Sequence, residues 1–179
     1  LFVRYEGTDS SRDPVVIGSH LDSQPTGGRY DGSYGVMVGL EIVRVLHAAG
    51  VRLAAPIEVV SWTDEEGARF PPAMLGSGVF AGAISLEAGL GSTAMDGTVL
   101  VDELVRIGYS GSAPAGSRAI GHYLEPHIEQ GPILEAGGHV IGIVTGVQGI
   151  RWYDVAITGK ESHAGTTPMD RRSDAMLSA

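Results

Sequence analysis

The sequence predicts an α/β fold, with a mixed, largely parallel sheet flanked by helices, and three observations carry that prediction. Strand-type and helix-type segments alternate through residues 1–147. Apolar strand segments run directly into loops rich in glycine or acid. Ligand-type side chains collect in those loops, which in an open α/β sheet lie beyond the carboxyl ends of the strands.

Residues 1–5 form the first expected strand, and residues 15–19, with Val15, Val16 and Ile17 consecutive, form the second. A helix is expected over 34–49, because Val36, Leu40 and Val43 recur at helical spacing while Glu41 and Arg44 mark the polar side. A third strand at 57–62 precedes helices near 73–90 and 100–107. The stretch YSGSAPAGS, residues 109–117, reads as a flexible surface connection to strands near 123–128 and 140–144. Gly131-Pro132 starts a short helix through Glu135. A domain boundary is expected near 146–149, after which residues 150–159 alternate as a half-buried strand does and Ser173-Asp174 reads as a helix cap.

The segment GSHLDSQPTGGRYDG, residues 18–32, places His20, Asp22 and Asp31 on a glycine-rich loop behind the second strand. Taken alone, His20 reads as a hydrogen-bonded loop histidine and Asp31 as the N-cap of the following helix. A second loop, SWTDEEGARF at 61–70, carries Asp64, Glu65 and Glu66 in succession. Adjacent carboxylates repel one another, and on a solvated loop only screening makes them tolerable. A cation removes the conflict, with one glutamate as ligand and its neighbour as general base. The third stretch, GHYLEPHIEQGPILEAGG at 121–138, carries His122, Glu125, His127, Glu129 and Gln130. His127 is the best ligand candidate there; His122 and His139 lie near turns, and His47 sits late in a helix. His20, Asp31, Glu66 and His127 thus form a mixed imidazole and carboxylate set. With no cysteine in the chain, it suits zinc, manganese, cobalt or nickel rather than a thiolate site.

Together, His20-x-Asp22, GGRYDG, DEEGARF, HIEQGP and GKESHAGTTPMDRR resemble the amidase, hydantoinase and carbamoylase branch of the dinuclear-metal aminoacylase and carboxypeptidase superfamily. That branch includes N-carbamoyl-L-amino-acid hydrolases, β-ureidopropionases and allantoate amidohydrolases. The motifs run in order from near the first residue to near the last. The resemblance implies two divalent metal ions per subunit, bridged by Asp31, with His20 and His127 completing one and Glu66 contributing to the other. Glu65 is then the base, Asp22 the carboxylate that orients His20, Gln130 a substrate contact, and His163 a group that polarises the scissile carbonyl from the lid of a neighbouring subunit. His163 outside this motif would read as part of a polar turn.

Two departures from the family pattern stand out. Pro126 precedes His127 where the family more often has another residue, and it removes an amide donor and pushes Glu125 to an extended conformation. The family's last histidine ligand and a substrate-binding arginine lie further along than residue 179. The chain also begins at Leu1, inside an expected strand, so it is expected to be an internal fragment. Residues 1–147 are read as an N-terminally truncated catalytic domain of the zinc-peptidase type, and 148–179 as the beginning of an inserted α+β lid and dimerisation domain.

The implied activity is metal-dependent hydrolysis of a linear amide of the N-carbamoyl amino acid or ureido acid type, by a metal-bridging water activated by glutamate, in a cytoplasmic homodimer. Its rivals are an aminoacylase or dipeptidase of the same superfamily and a non-catalytic binding or dimerisation relative. Glu65 argues against the last, since binding alone needs no base. A net charge of -9 disfavours nucleic acid and anionic membranes as partners. No apolar run approaches the roughly 18 residues of a membrane span. No signal peptide is visible, and the absence of cysteine excludes disulfides without deciding the compartment.

Overall fold

A β-strand is held by its neighbour's ladder, and the second and third apolar runs pair with each other in parallel, which requires a crossover between them. In the computed structural model, which describes residues 1–151 and 153–177, β1 (Phe2–Tyr5), β2 (Val15–His20) and β3 (Ile57–Trp62) form a sheet with a short β4 (His122–Leu124). The strand order is β1-β3-β2-β4, with β1 antiparallel to β3 and the β2–β3 and β2–β4 pairs parallel. Helix α1 (Ser33–Ala48) makes the crossover from β2 to β3. His20 and Trp62 are the last register partners of β2 and β3, so both acid-bearing loops leave the same edge of the sheet.

The centre of the sheet is apolar and buried, with Val16, Ile17, Ile57, Val59 and Val60 covered in part by Val36 of α1. Close helix approach needs a small residue: a Cβ on Gly35 would stand 2.5 Å from the Pro126 carbonyl oxygen and 2.9 Å from Ser19. Beyond β3, α2 (Leu75–Phe80), α3 (Leu86–Leu90) and α4 (Leu100–Arg106) close a second core of Phe70, Leu75, Ala94 and Leu100. One charge lies inside the sheet. Glu58, 1% exposed, accepts from Arg4 at 3.0 Å and from Arg118 at 2.7 Å.

Several expectations are corrected. The helix expected near 73–90 is two helices, because the chain turns after Phe80 and Ser85 then caps α3 by accepting from the Ala88 amide. The strand expected at 123–128 stops at Leu124, since Pro126 has no N–H for a ladder. Asp31 is not the N-cap of α1; Gly32 holds that position, without a side-chain hydrogen bond. The stretches 140–144 and 150–159 form no strand among the described residues, and Val140, Ile143 and Val155 are exposed. Their alternation matches a strand, but no described segment offers them a ladder, and a lone strand leaves its backbone unpaired. Asp174 accepts from the Met176 amide at 2.9 Å as a cap does, yet 175–177 form a turn.

Two compact units emerge, residues 1–132 and 133–179. The second contains the short helix α5 (Ile133–Ala136) and a 3-10 turn at Met169–Arg171.

The buried Glu58 supplies a test of the sheet. Replacing both Arg4 and Arg118 with methionine should destabilise the fold by about 3–5 kcal/mol, because it leaves a buried carboxylate without a partner. Urea unfolding measures this, and either single replacement should cost clearly less.

Candidate metal centre

His20 ends β2, 2% exposed, beneath the first turn of α1. Gly32 makes that burial feasible: its φ is +66°, and a Cβ there would stand 2.4 Å from the imidazole. The His20 Nδ1 lies 2.9 Å from the main-chain oxygen of Asp22. A carbonyl can only accept, so Nδ1 carries the ring proton and Nε2 presents a lone pair. That Nε2 faces Glu65 Oε2 at 3.4 Å and Asp31 Oδ1 at 3.9 Å.

His127 repeats the arrangement from the loop after β4. Its Nδ1 donates to the Ile128 oxygen at 2.9 Å, leaving Nε2 3.1 Å from Asp31 Oδ1. The other Asp31 oxygen accepts from Gln130 Nε2 at 2.6 Å, with the Gln130 backbone at a φ of +55°. With both rings neutral, two imidazole lone pairs converge on one carboxylate, an arrangement a cation completes.

The acidic loop is shaped by Asp22. Its carboxylate accepts from the amides of Glu65 at 3.2 Å and Glu66 at 2.9 Å, while standing 3.7 Å from His20 Nδ1. Its main-chain oxygen, not its carboxylate, orients the histidine. Asp64 turns the chain with a φ of +52°, and burial followed by the Asp22 charge pushes its carboxyl up to about 6. The Glu65 carboxyl is also raised, chiefly by burial; the neighbouring charges of Glu66, Asp22 and Glu125 add to this and His20 opposes it. Gln24, which has no motif signature and draws notice only through its place in the same loop, donates to Glu66 Oε2 at 3.1 Å. Glu66 Oε1 is buried with no hydrogen-bond partner.

Two groups of ligand atoms result, each within 4.8 Å of one another: His20, Asp31 and His127, and His20, Glu65 and Glu66. All of the expected ligands are thus brought together, with His20 common to both groups. Glu65, expected as a base, stands among the ligand-type atoms as well. In the second unit, the His163 Nδ1 accepts from the amides of Gly165 at 3.0 Å and Thr166 at 3.3 Å. The proton of a neutral ring therefore sits on Nε2 and makes it a donor.

Comparison with known proteins points to a family. A family model described as Peptidase family M20/M25/M40 matches residues 16–177. The chain is 51% identical over 177 residues to a Rhizobium meliloti protein named N-carbamoyl-L-amino-acid amidohydrolase, covering 99% of this chain and 42% of that one. It is 39% identical over 184 residues to a probable allantoate deiminase of Oryza sativa, covering 98% of this chain and 37% of the relative. A crystal structure of a hydantoinase/carbamoylase family amidase from Burkholderia vietnamiensis superposes with a TM-score of 0.88 at 56% identity, over 98% of this chain and 43% of that one. The chain therefore spans less than half the length of these relatives.

The close fit of Gly32 against His20 gives a direct expectation. Gly32→Ala should weaken zinc binding by roughly tenfold or more, the scale of disturbing a ligand's support. Gly111→Ala, whose added Cβ meets nothing within 4 Å, should leave it unchanged. Isothermal titration with zinc on both variants checks this.

Proposed function

The chain belongs to peptidase family M20/M25/M40, and from that premise we propose that the protein carrying it hydrolyses a linear amide of the N-carbamoyl amino acid or ureido acid type. The observation that carries the reading is the convergence of the His20 and His127 Nε2 lone pairs with Asp31, Glu65 and Glu66. The substrate class is supported by the relatives, named for N-carbamoyl-L-amino acids and allantoate.

His20, His127 and Asp31 would hold one divalent ion, with Asp31 shared and Glu66 contributing to a second. Zinc, manganese, cobalt and nickel all suit these donors. When bound, such ions supply Lewis acidity toward the scissile carbonyl and toward water. Glu65 takes the proton of the attacking water and returns it to the departing nitrogen, which for a carbamoyl group leads to carbon dioxide, ammonia and the free amino acid. Gln130, which donates to Asp31 at 2.6 Å, would also bind substrate. His163 offers its Nε2–H to the developing oxyanion from the lid of the partner subunit in a homodimer. In this reading residues 1–147 are the catalytic domain, 148–179 begin the lid, and the enzyme is cytoplasmic. Among the described residues, no helix is long and apolar enough to cross a membrane.

Separating base from ligand tests the roles. In the whole protein, Glu65→Gln should keep its metal while turnover falls by at least about a hundredfold, whereas Glu66→Ala should lose metal. Mass spectrometry of metal content beside a rate assay reads both, and equal metal loss would overturn the division.

A substrate panel tests the class. N-carbamoyl amino acids or ureido acids should be hydrolysed faster than the matching N-acetyl amino acid or dipeptide, read as ammonia and free amino acid. Preference for the dipeptide would instead indicate a peptidase.

A third expectation concerns His163. Subunits carrying His163→Ala and subunits carrying Glu65→Gln should each be nearly inactive, and exchange between them should restore a fraction of wild-type activity. Mixtures that exchange and remain inactive would place His163 outside the partner's site.

A further inference from the structure

The three strands that carry the candidate ligands are tied together by side chains outside the ligand set. Trp62, the last residue of β3, donates its indole Nε1–H to the Tyr123 hydroxyl at 2.9 Å. That hydroxyl donates to Glu125 Oε2 at 2.8 Å, and the Ser19 hydroxyl donates to Glu125 Oε1. Ser19 immediately precedes His20, Trp62 lies three residues before Glu65, and Glu125 lies two before His127.

Backbone pairing does not do this work. The β2–β4 ladder ends at Ile17↔Leu124, and Pro126 has no N–H with which to extend it. Nothing in the ladder therefore fixes the step from Leu124 to His127. Side chains span the gap instead: β2 lies between β3 and β4, and the Trp62 and Tyr123 rings approach to 6.3 Å between centroids. The Pro126 carbonyl in turn seats against Gly35 of α1.

We infer that Tyr123 and Glu125 are positioning residues: a hydrogen-bonded clamp from Trp62 through Tyr123 and Glu125 to Ser19 sets the spacing of His20, His127 and the Glu65-Glu66 loop. The inference rests on the reading of those residues as metal-binding groups. The hydroxyl of Tyr123 is the central element, because it accepts from one strand and donates to the segment that carries His127.

Zinc binding to the full 179-residue chain, read by isothermal titration beside the melting temperature of the metal-free chain, tests it. Tyr123→Phe keeps the ring and removes the hydroxyl; zinc affinity should fall roughly tenfold to hundredfold, the scale of losing a group that orients a ligand, while the metal-free melting temperature moves little. Glu125→Ala should behave alike, and Glu125→Gln, which retains an acceptor oxygen and the side-chain length, should recover part of the loss. A lowered melting temperature with unchanged affinity in Tyr123→Phe and Glu125→Ala would reduce the clamp to packing and overturn the inference. Glu66→Ala distinguishes the two levels. Loss of zinc in Glu66→Ala with wild-type affinity in Tyr123→Phe overturns the clamp alone, whereas no zinc uptake by the wild-type chain overturns the clamp and the metal reading together.

Discussion

The site depends on one residue that ties two loops together. Asp22 receives two backbone amides of the acidic loop on its carboxylate and one histidine proton on its main-chain oxygen. Successive amides turned toward one anion form a concave donor site, and the left-handed Asp64 is what turns them. With the backbone pinned, the side chains of Glu65 and Glu66 take different partners. Glu65 reaches His20, and Glu66 is held by Gln24. The consecutive acids are thereby given distinct partners, although an oxygen of each still lies within 4.8 Å of the other.

That arrangement has a local cost at the start of α1. Asp31 stands one residue before the cap, with its carboxylate beside His127 and hydrogen-bonded by Gln130, and the cap position falls to Gly32, which offers no side chain. A glycine N-cap in place of Ser, Thr, Asn or Asp typically costs about a few tenths of a kcal/mol. The same glycine allows the His20 ring to lie beneath the helix, and the packing of Val36 against the sheet compensates. Local helix stability is thus given up where the ligand geometry needs the space, a pattern common at functional sites.

The parts of the structure legible in the sequence are those whose signals are local. Apolar runs mark β2 and β3, helical spacing marks α1, and the acid and histidine positions at the strand ends mark the residues that the fold brings together as a candidate ligand set. What lay beyond reach depends on partners distant in the chain. The apolar alternation at 150–159 cannot reveal whether a ladder exists to receive it, and the clamp through Tyr123 and Glu125 depends on the register of three strands. Asp22 illustrates the boundary between the two cases: its importance is visible in its spacing from His20, but its carboxylate's partners, 43 and 44 residues away, are not. The split of α2 from α3 is legible in principle, through Gly82 after α2 and Ser85 as the cap of α3.

The electrostatics of the assembled loops bind folding to ligation. Burial raises the carboxyls of Asp64 and Glu65 above their ordinary values, so folding without a counter-charge disfavours their ionised forms. Both imidazoles, in their neutral form, turn lone pairs rather than protons toward the carboxylates. A divalent cation among these groups reverses both effects at once, favouring the ionised carboxylates and accepting both lone pairs. Its binding free energy then adds to the stability of the folded state alone, since the unfolded chain scatters the same donors. The sheet edge that gathers the ligands is therefore the region of the first unit whose stability is most closely coupled to the proposed metal.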